Sequence, residues 1–210
     1  MKTDNIIINT QSSIKIILDK TIYFDPFQIK DNLYDADLIF ITHEHYDHYD
    51  IESINKIKNE NTIIVAPYSM EKHIRKIDFI DYIFLNPDDE VVINDIKVKA
   101  IRAYNINKPF HSIKNNWLGY IITYNNITYY IAGDTDKTIE MEKVKCDIAF
   151  LPIGGHFTMD AYEASEVAKI INPKIVIPIH YGSIIGNKED SLKLKDYLKD
   201  TSIEVVIKLN

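Results

Sequence analysis

The chain has 210 residues, 46% of them hydrophobic, and carries a net charge of −7. This length fits one domain, predicted to span residues 1–210, and the apolar fraction excludes a disordered chain. The negative charge argues against nucleic acid and anionic membranes as partners, because the overall electrostatic field attracts neither.

The first half of the sequence is predicted to form mainly strands. Its β-branched and aromatic runs have strand length, and apolar residues spaced three or four apart indicate two short helices. In chain order, the predicted elements are strands at 5–9, 14–18, 21–24 and 38–42, a helix at 51–57 with Ile51, Ile54 and Ile57 on its apolar face, a strand at 62–66, a helix beginning at Pro67, and strands at 82–85, 91–93 and 96–103. The run LIFIT at 38–42 is apolar until its last residue, which is typical of a strand buried on both faces.

The second half alternates strands with helices. Asn125-Asn126 indicates a hairpin turn, and Asp160 with Glu163 has the spacing of a helix capping box. The predicted elements are strands at 118–124, 128–132, 147–151, 174–179 and 203–207, a helix between Asp160 and Asn172, and a helix at 189–199. Two sheets packed face to face, with helices outside, would accommodate this order of an α/β chain.

Three of the seven histidines fall within six residues, directly after the predicted buried strand. Such a segment is held in place by the sheet and open to solvent, so sites are commonly built there. Imidazole and carboxylate are good ligands for zinc, manganese or iron. His43 and His45 alternate in an extended turn and can share one ion, whereas Asp47 and His48 can address a second. The sequence therefore predicts a metal site, the alternative being a histidine-rich surface loop.

The segment HEHYDH (residues 43–48, the HEHYDH motif) resembles the HxHxDH signature of the metallo-β-lactamase superfamily. Later segments resemble the superfamily in the same order. Asp134, in AGDT, matches its bridging aspartate, and His180, in IPIHYG, matches its last histidine ligand. The segments LPIGGHFTM at 151–159 and YFDPF at 23–27 resemble one branch, the small metal-dependent hydrolases similar to L-ascorbate-6-phosphate lactonase.

The resemblance implies an αββα four-layer sandwich with the site at one sheet edge. It also implies two divalent metal ions, with zinc expected and manganese or iron as alternatives. Asp134 would lie between the two ions. The implied metal ligands are His43, His45, Asp47, His48, His111, Asp134 and His180.

His111 is the one implied ligand whose place in the first metal site another residue could take. The superfamily usually has a histidine just after a mid-chain strand, but here the strand at 96–103 leads to Asn105, and the nearest histidine is His111. Either His111 reaches back on its loop to complete the first metal site, or Asn105 or a water takes that place. We favour His111, because asparagine is a weak ligand and two histidines alone would leave the ion under-coordinated.

Two further residues are candidates for supporting roles. His156 follows two glycines and is predicted to orient substrate or donate a proton, the alternative being a structural histidine bonded to backbone. Asp25 could accept a hydrogen bond from a ligand histidine and so hold its tautomer, or it could simply form a turn. His156 completes a predicted catalytic set with Asp47 and Asp134.

The expected reaction is hydrolysis, in which a hydroxide shared by two ions attacks a carbonyl or phosphorus centre. The branch resemblance favours an ester or lactone of a small molecule as substrate. The alternatives are a phosphodiesterase of the same fold, a di-iron oxidoreductase and a non-catalytic metal-binding protein, since one fold hosts many chemistries.

The single cysteine, Cys146, cannot form an internal disulfide, which suits a reducing cytosol. The N-terminal segment lacks the long apolar run of a signal peptide, and no segment approaches the ~20 apolar residues of a membrane span. We therefore expect a soluble, cytoplasmic enzyme that binds neither nucleic acid nor membrane. Self-association into a homo-oligomer is left open.

Overall fold

The computed structural model describes residues 2–209, so the first and last residues of the predicted domain lie outside it. The chain forms two compact units, Met1–Leu85 and Asn86–Asn210. Each unit is built on one sheet, of six strands in the first and seven in the second. Within residues 2–209, no helix has the length and apolar character needed to cross a bilayer.

The sheet of the first unit has its strands in sequence order, from β1 to β6. The elements are β1 (Ile6–Ile8), β2 (Ile14–Ile17), β3 (Thr21–Phe24), β4 (Ala36–Phe40), α1 (Ile51–Ile57), β5 (Lys58–Pro67), a 3-10 turn (Tyr68–Met70), α2 (Glu71–Ile74) and β6 (Asp81–Leu85). Strands β1 to β3 pair antiparallel, whereas β3 to β6 pair parallel. Because parallel strands end at the same sheet edge, the segments that follow β3 and β4 lie side by side.

Strand β4 is buried on both faces, as the sequence predicts. Leu38, Ile39 and Phe40 have no exposed surface, and Ile39 belongs to a hydrophobic cluster that includes Ile54 and Ile57 of α1. Burying side chains of this size stabilises the fold by about 1.5–3 kcal/mol each. This packing anchors the start of the segment that leaves β4.

The prediction that Ile51 belongs to the buried face of α1 is wrong, since this side chain is 49% exposed. Ile51 is the first residue of the helix. The preceding residue, Asp50, caps the helix, because its side chain accepts a hydrogen bond from the Glu52 N–H at 3.1 Å. Ile54 and Ile57 bury the apolar face as predicted.

Pro67 ends a strand, whereas the sequence prediction made it the start of a helix. It is the last residue of β5 and pairs with Leu85 of β6. Proline has no N–H to donate to a continuing ladder, so the strand stops there. Helix α2 begins only at Glu71, after the 3-10 turn.

The sheet of the second unit has the strand order β13-β12-β11-β10-β9-β8-β7. The elements are β7 (Glu90–Ile93), β8 (Ile96–Arg102), a 3-10 turn (Ile113–Asn115), β9 (Leu118–Tyr124), β10 (Ile127–Ile131), a 3-10 turn (Ile139–Lys143), β11 (Ile148–Pro152), α3 (Ala161–Ile171), β12 (Ile175–Ile179), α4 (Lys188–Tyr197) and β13 (Glu204–Val205). Strands β7 to β10 pair antiparallel and β10 to β13 parallel. Both β8 and β10 run antiparallel to β9, so β8, β10 and β12 all end at one edge.

Local signals of the second unit are confirmed. Asn125 and Asn126 are both left-handed, with φ of 48° and 63°, as a two-residue hairpin turn of the favoured twist requires. Asp160 and Glu163 form the predicted capping box, with the Glu163 N–H donating to the Asp160 side chain at 2.8 Å. Asn172 adopts a left-handed conformation that ends α3.

Burial should make Cys146 unreactive in the folded chain. It raises the pKa of the thiol to about 12, and the neighbouring carboxylate of Asp147 adds to the rise. Because the thiolate is the nucleophile, we expect alkylation by iodoacetamide at pH 8 to be about 10²-fold slower in the folded protein than in urea. A time course by mass spectrometry measures this, and equal rates in the two states would contradict the burial of the thiol.

Candidate metal centre

The HEHYDH motif forms a tight turn after β4 in the first unit. His43 and His48 are 1% and 0% exposed, and Asp47 is 8% exposed. The N–H groups of His48 and Tyr49 both donate to the carbonyl of His45, at 3.0 and 2.8 Å, which closes the turn. The fold therefore holds these potential ligands in a fixed, largely buried segment.

Asp25, directly after β3, fixes the tautomers of two of these histidines. Its carboxylate accepts hydrogen bonds at 2.7 Å from His48 Nδ1, from the Thr42 N–H and from Thr42 Oγ1. Because the only hydroxyl proton of Thr42 goes to Asp25, Thr42 Oγ1 accepts a hydrogen bond from His43 Nδ1, at 2.9 Å. Neutral His43 and His48 thus both carry their proton on Nδ1 and a lone pair on Nε2, which is how ligand histidines are commonly oriented.

This supporting role agrees with the sequence prediction for Asp25. Burial raises the pKa of its carboxyl above the ordinary value, and the hydrogen bonds from His48 and Thr42 counteract part of that rise. Asp25 also has a left-handed backbone, with φ of 44°. Such a conformation is uncommon outside glycine, although aspartate tolerates it better than most residues.

The other donor atoms of the first unit lie close to these imidazoles. His43 Nε2 is 3.0 Å from His45 Nδ1, and His48 Nε2 is 3.5 Å from Asp47 Oδ2. Gln11 is completely buried and donates from Nε2 to Asp47 Oδ2 at 3.4 Å. The first unit therefore presents two pairs of potential ligands: the imidazoles of His43 and His45, and the imidazole of His48 with the carboxylate of Asp47.

Three predicted ligands lie together in the second unit, and each is at most 4% exposed. Asp134 Oδ2 is 3.0 Å from His180 Nε2 and 3.4 Å from His111 Nε2. His111, Asp134 and His180 follow β8, β10 and β12, the strands that end at one sheet edge. The fold thus places one carboxylate between two imidazoles that are 69 residues apart in sequence.

His156 and Asn105 lie in the loops of the same unit. His156 is exposed, and its ring packs against those of Phe110 and Phe157 at centroid distances of 5.3 and 4.6 Å. Within residues 2–209, its side chain makes no hydrogen bond to backbone. Asn105 lies beside His111, with Asn105 Oδ1 at 2.6 Å from His111 Nδ1.

Thr42 and Gln11 support the candidate ligands but are not among the residues predicted from the sequence. Thr42 carried a signal, since it is a hydroxyl residue at the end of an apolar run and directly precedes the HEHYDH motif. Gln11 carried none, because a Gln-Ser-Ser segment reads as a polar surface turn. Its burial and its left-handed φ of 50° appear only in the structure.

Gly154, just after β11, has no side chain, and this leaves room for His180. A Cβ on Gly154 would lie 2.5 Å from the His180 carbonyl oxygen and 3.1 Å from its Nδ1. His180 has a left-handed φ of 56° and little room to move. We expect Gly154→Ala to destabilise the fold by about 1–3 kcal/mol through overpacking and to weaken zinc binding about tenfold by shifting an imidazole.

Calorimetric zinc titration and thermal unfolding measure both effects, and Gly155→Ala is the matched control. Gly155 has a left-handed backbone, with φ of 85°, and a Cβ at this position would meet only the Asp160 Cβ, at 3.7 Å. It should lose stability through backbone strain and keep its zinc affinity. Equal zinc affinities for the Gly154 variant and the unmodified chain would show that the contact with His180 is unimportant.

The donor set fits divalent metal ions. In each unit, buried or half-buried imidazole nitrogens and carboxylate oxygens lie 3.0–3.5 Å from another potential metal-ligand atom. Buried ionisable side chains are normally paired or bound to metals, and imidazole with carboxylate and no thiolate suits zinc, manganese or iron. The residues that could hold a metal ion are His43, His45, Asp47, His48, His111, Asp134 and His180.

Known proteins resemble this chain in both sequence and fold. The model of the beta-lactamase superfamily domain matches residues 12–180. A UPF0173 metal-dependent hydrolase from Thermoplasma acidophilum is 32% identical over 219 aligned positions, covering 99% of this chain and 96% of the relative. A solved structure from Parabacteroides distasonis, described as that of a metal-dependent hydrolase, is 33% identical with a TM-score of 0.81, covering 98% of this chain and 93% of its own.

A more distant structure, of a metallo hydrolase from Ignicoccus hospitalis, shares the fold at 23% identity, with a TM-score of 0.77 over 96% of this chain and 93% of its own. Fold and relatives define the class as an α/β, metal-dependent hydrolase with the metallo-β-lactamase fold, as predicted. With a family match over most of its length, the chain belongs to the beta-lactamase superfamily. The narrower likeness to the ascorbate-6-phosphate lactonase branch stays a prediction.

Proposed function

We propose that this enzyme hydrolyses an ester or lactone of a small molecule at a centre of two divalent ions, with zinc as the native metal. One ion would be held by His43, His45 and His111, the other by Asp47, His48 and His180, with Asp134 between them.

The observation that carries this proposal is the way the first unit prepares its imidazoles. A single buried carboxylate, Asp25, sets the tautomer of His48 directly and that of His43 through Thr42. Two histidines with Nδ1 protonated and a lone pair on Nε2 are suited to ligation. Asp134, with imidazole nitrogens at 3.0 and 3.4 Å, supports the same role in the second unit.

When bound, divalent ions supply a water that ionises near neutral pH and polarise the substrate oxygen. The carboxylates of Asp47 and Asp134 offset the positive charge of the ions. As water adds to the acyl carbon and the C–O bond breaks, the exposed imidazole of His156 donates a proton to the departing alkoxide oxygen. The rings of Phe110 and Phe157 beside His156 suit an apolar part of the substrate.

Two observations favour a carboxylic ester or lactone over a phosphodiester. The net charge of −7 repels anionic substrates. Lys108, on the loop that leads to His111, is engaged by Asp136 at 2.5 Å and by the Thr158 carbonyl at 2.6 Å. Its ammonium group is thereby committed to the protein, which leaves less cationic charge for a phosphate.

We also propose a cytoplasmic location. Cys146 is the only cysteine in the sequence and is partly buried with a raised pKa, which is compatible with a reducing compartment. Fractionation of the source cells tests this, and recovery of the protein mainly outside the cytoplasmic fraction would contradict it.

A substrate panel tests the activity. Zinc-loaded protein is assayed with p-nitrophenyl acetate and butyrate, with γ- and δ-lactones, and with bis(p-nitrophenyl) phosphate. We expect kcat/KM to be at least about 10²-fold higher for the preferred ester or lactone than for the phosphodiester, which corresponds to about 3 kcal/mol. Chelation should abolish the activity, and added zinc should restore it.

His73→Ala is the control, because His73 is an exposed histidine of α2. It should leave the activity unchanged, whereas His180→Ala should remove it. Preference for the phosphodiester would overturn the substrate class, and full activity of the metal-free chain would overturn the whole proposal.

A further inference from the structure

Asn105 is a nearly buried asparagine whose side chain forms four hydrogen bonds. It is 6% exposed. Its Oδ1 accepts from the His111 backbone N–H at 3.0 Å and lies 2.6 Å from His111 Nδ1. Its Nδ2 donates to Asp136 Oδ1 at 2.9 Å and to the Phe157 carbonyl at 3.0 Å. The amide is therefore fully committed to the protein.

These partners determine which way the amide points. A backbone carbonyl and a carboxylate can only accept, so the atom facing Phe157 and Asp136 must be Nδ2. The atom facing His111 meets a backbone N–H, which can only donate, so it must be Oδ1. The orientation of Asn105 thus follows from the chemistry of three independent partners.

The orientation of the Asn105 amide also fixes the tautomer of the His111 imidazole. A carbonyl oxygen cannot donate, so the 2.6 Å contact requires the proton on His111 Nδ1. The lone pair of the neutral ring then lies on Nε2, the atom that is 3.4 Å from Asp134 Oδ2. The Asn105 side chain also accepts a hydrogen bond from the His111 backbone N–H. The Asn105 backbone N–H donates to the His111 carbonyl at 2.7 Å, which closes the loop between the two residues.

Asn105 is itself held by a charged pair. Asp136, 5% exposed, accepts from Asn105 Nδ2, from the Ile106 N–H at 2.9 Å and from Lys108 Nζ at 2.5 Å. Lys108 also donates to the Thr158 carbonyl at 2.6 Å. The cation stabilises the buried carboxylate, so the chain Lys108–Asp136–Asn105 keeps the amide in one place.

We propose that Asn105 is a positioning residue, which holds His111 in its Nδ1–H tautomer and directs Nε2 towards the metal, with Asp136 and Lys108 as its support. The inference rests on the proposed function, in which His111 is a ligand. Asn105 would then act on the ion through His111 and would not be a ligand itself, in contrast to the direct ligation left open by the sequence. Loss of such a supporting hydrogen bond typically costs about 10–100-fold in metal affinity.

Nitrogen-15 NMR of the histidine rings tests the tautomer without any metal or assay. In the metal-free, unmodified chain, the long-range ¹H–¹⁵N spectrum should show His111 protonated on Nδ1, with its signals assigned by their loss in His111→Gln. In Asn105→Ala the Nε2–H tautomer should gain population, and zinc affinity should fall about 10–100-fold.

Asn61→Ala, which removes an exposed asparagine, is the control and should change neither signal nor affinity. An Nε2–H form of His111 in the unmodified chain would overturn the inference, whatever the behaviour of the Asn105 variant. Unchanged zinc affinity in Asn105→Ala, with weakened binding in His111→Gln, would overturn the role of Asn105 alone. Unchanged affinity in His111→Gln would remove His111 from the ligands and, with it, this inference.

Discussion

Replacing Asp134 by alanine should lower kcat/KM at least about 10³-fold, or about 4 kcal/mol of activation free energy, in a chain that stays folded. Asp134 Oδ2 lies within 3.4 Å of both His111 and His180. Its removal takes away the carboxylate between two imidazoles and would leave the two proposed cations without a negative charge between them. Steady-state kinetics on the preferred substrate, with circular dichroism for the fold, measure the effect.

The control for this variant is Asp200→Ala, which removes an exposed aspartate of the same unit. It should change kcat/KM by less than about twofold. Zinc content of the Asp134 variant should also fall, because the ligand set loses one oxygen donor. A variant that binds zinc normally and keeps activity within tenfold of the unmodified chain would show that Asp134 has no part in the metal centre.

Asp25→Ala should destabilise the fold by about 3–5 kcal/mol, because each buried donor that is left without its acceptor costs about 1–3 kcal/mol. Three donors lose their acceptor at once, namely His48 Nδ1, the Thr42 N–H and Thr42 Oγ1. The tautomers of His48 and His43 are then no longer fixed, so zinc affinity should fall about 10–100-fold as well. Urea unfolding of the metal-free chain and zinc titration separate the two effects.

Asp31→Ala removes an exposed aspartate from the same unit and serves as the matched control. Both its unfolding free energy and its zinc affinity should match those of the unmodified chain. If Asp25→Ala loses stability but binds zinc as tightly as before, Asp25 is a structural residue only, and its assigned control of the histidine tautomers fails.

The parts of the fold that the sequence predicts well are those with strong local signals. The burial of Leu38, Ile39 and Phe40 in β4 follows from the apolar run at 38–41, and the hairpin at Asn125-Asn126 follows from residues that tolerate a left-handed backbone. Pro67 was misassigned because proline fits both the end of a strand and the start of a helix. Only the pairing with Leu85, far away in sequence, decides between the two.

The candidate ligands were predictable from the sequence, but the hydrogen bonds that hold them in place were not. The HEHYDH motif reveals itself because its donors are adjacent in sequence, whereas the hydrogen bonds from Thr42 and His48 to Asp25 exist only because β3 and β4 end side by side. The link between Asn105 and Asp136 likewise joins loops after different strands. Sequence spacing gives no access to contacts that sheet pairing creates.

Zinc stoichiometry by equilibrium dialysis tests the central claim most directly, namely that the candidate ligands hold two ions. The account predicts two zinc ions per unmodified chain, and weakened binding in both His43→Ala, from the first unit, and His180→Ala, from the second. A chain that binds no zinc, or one in which either substitution leaves binding unchanged, would contradict it.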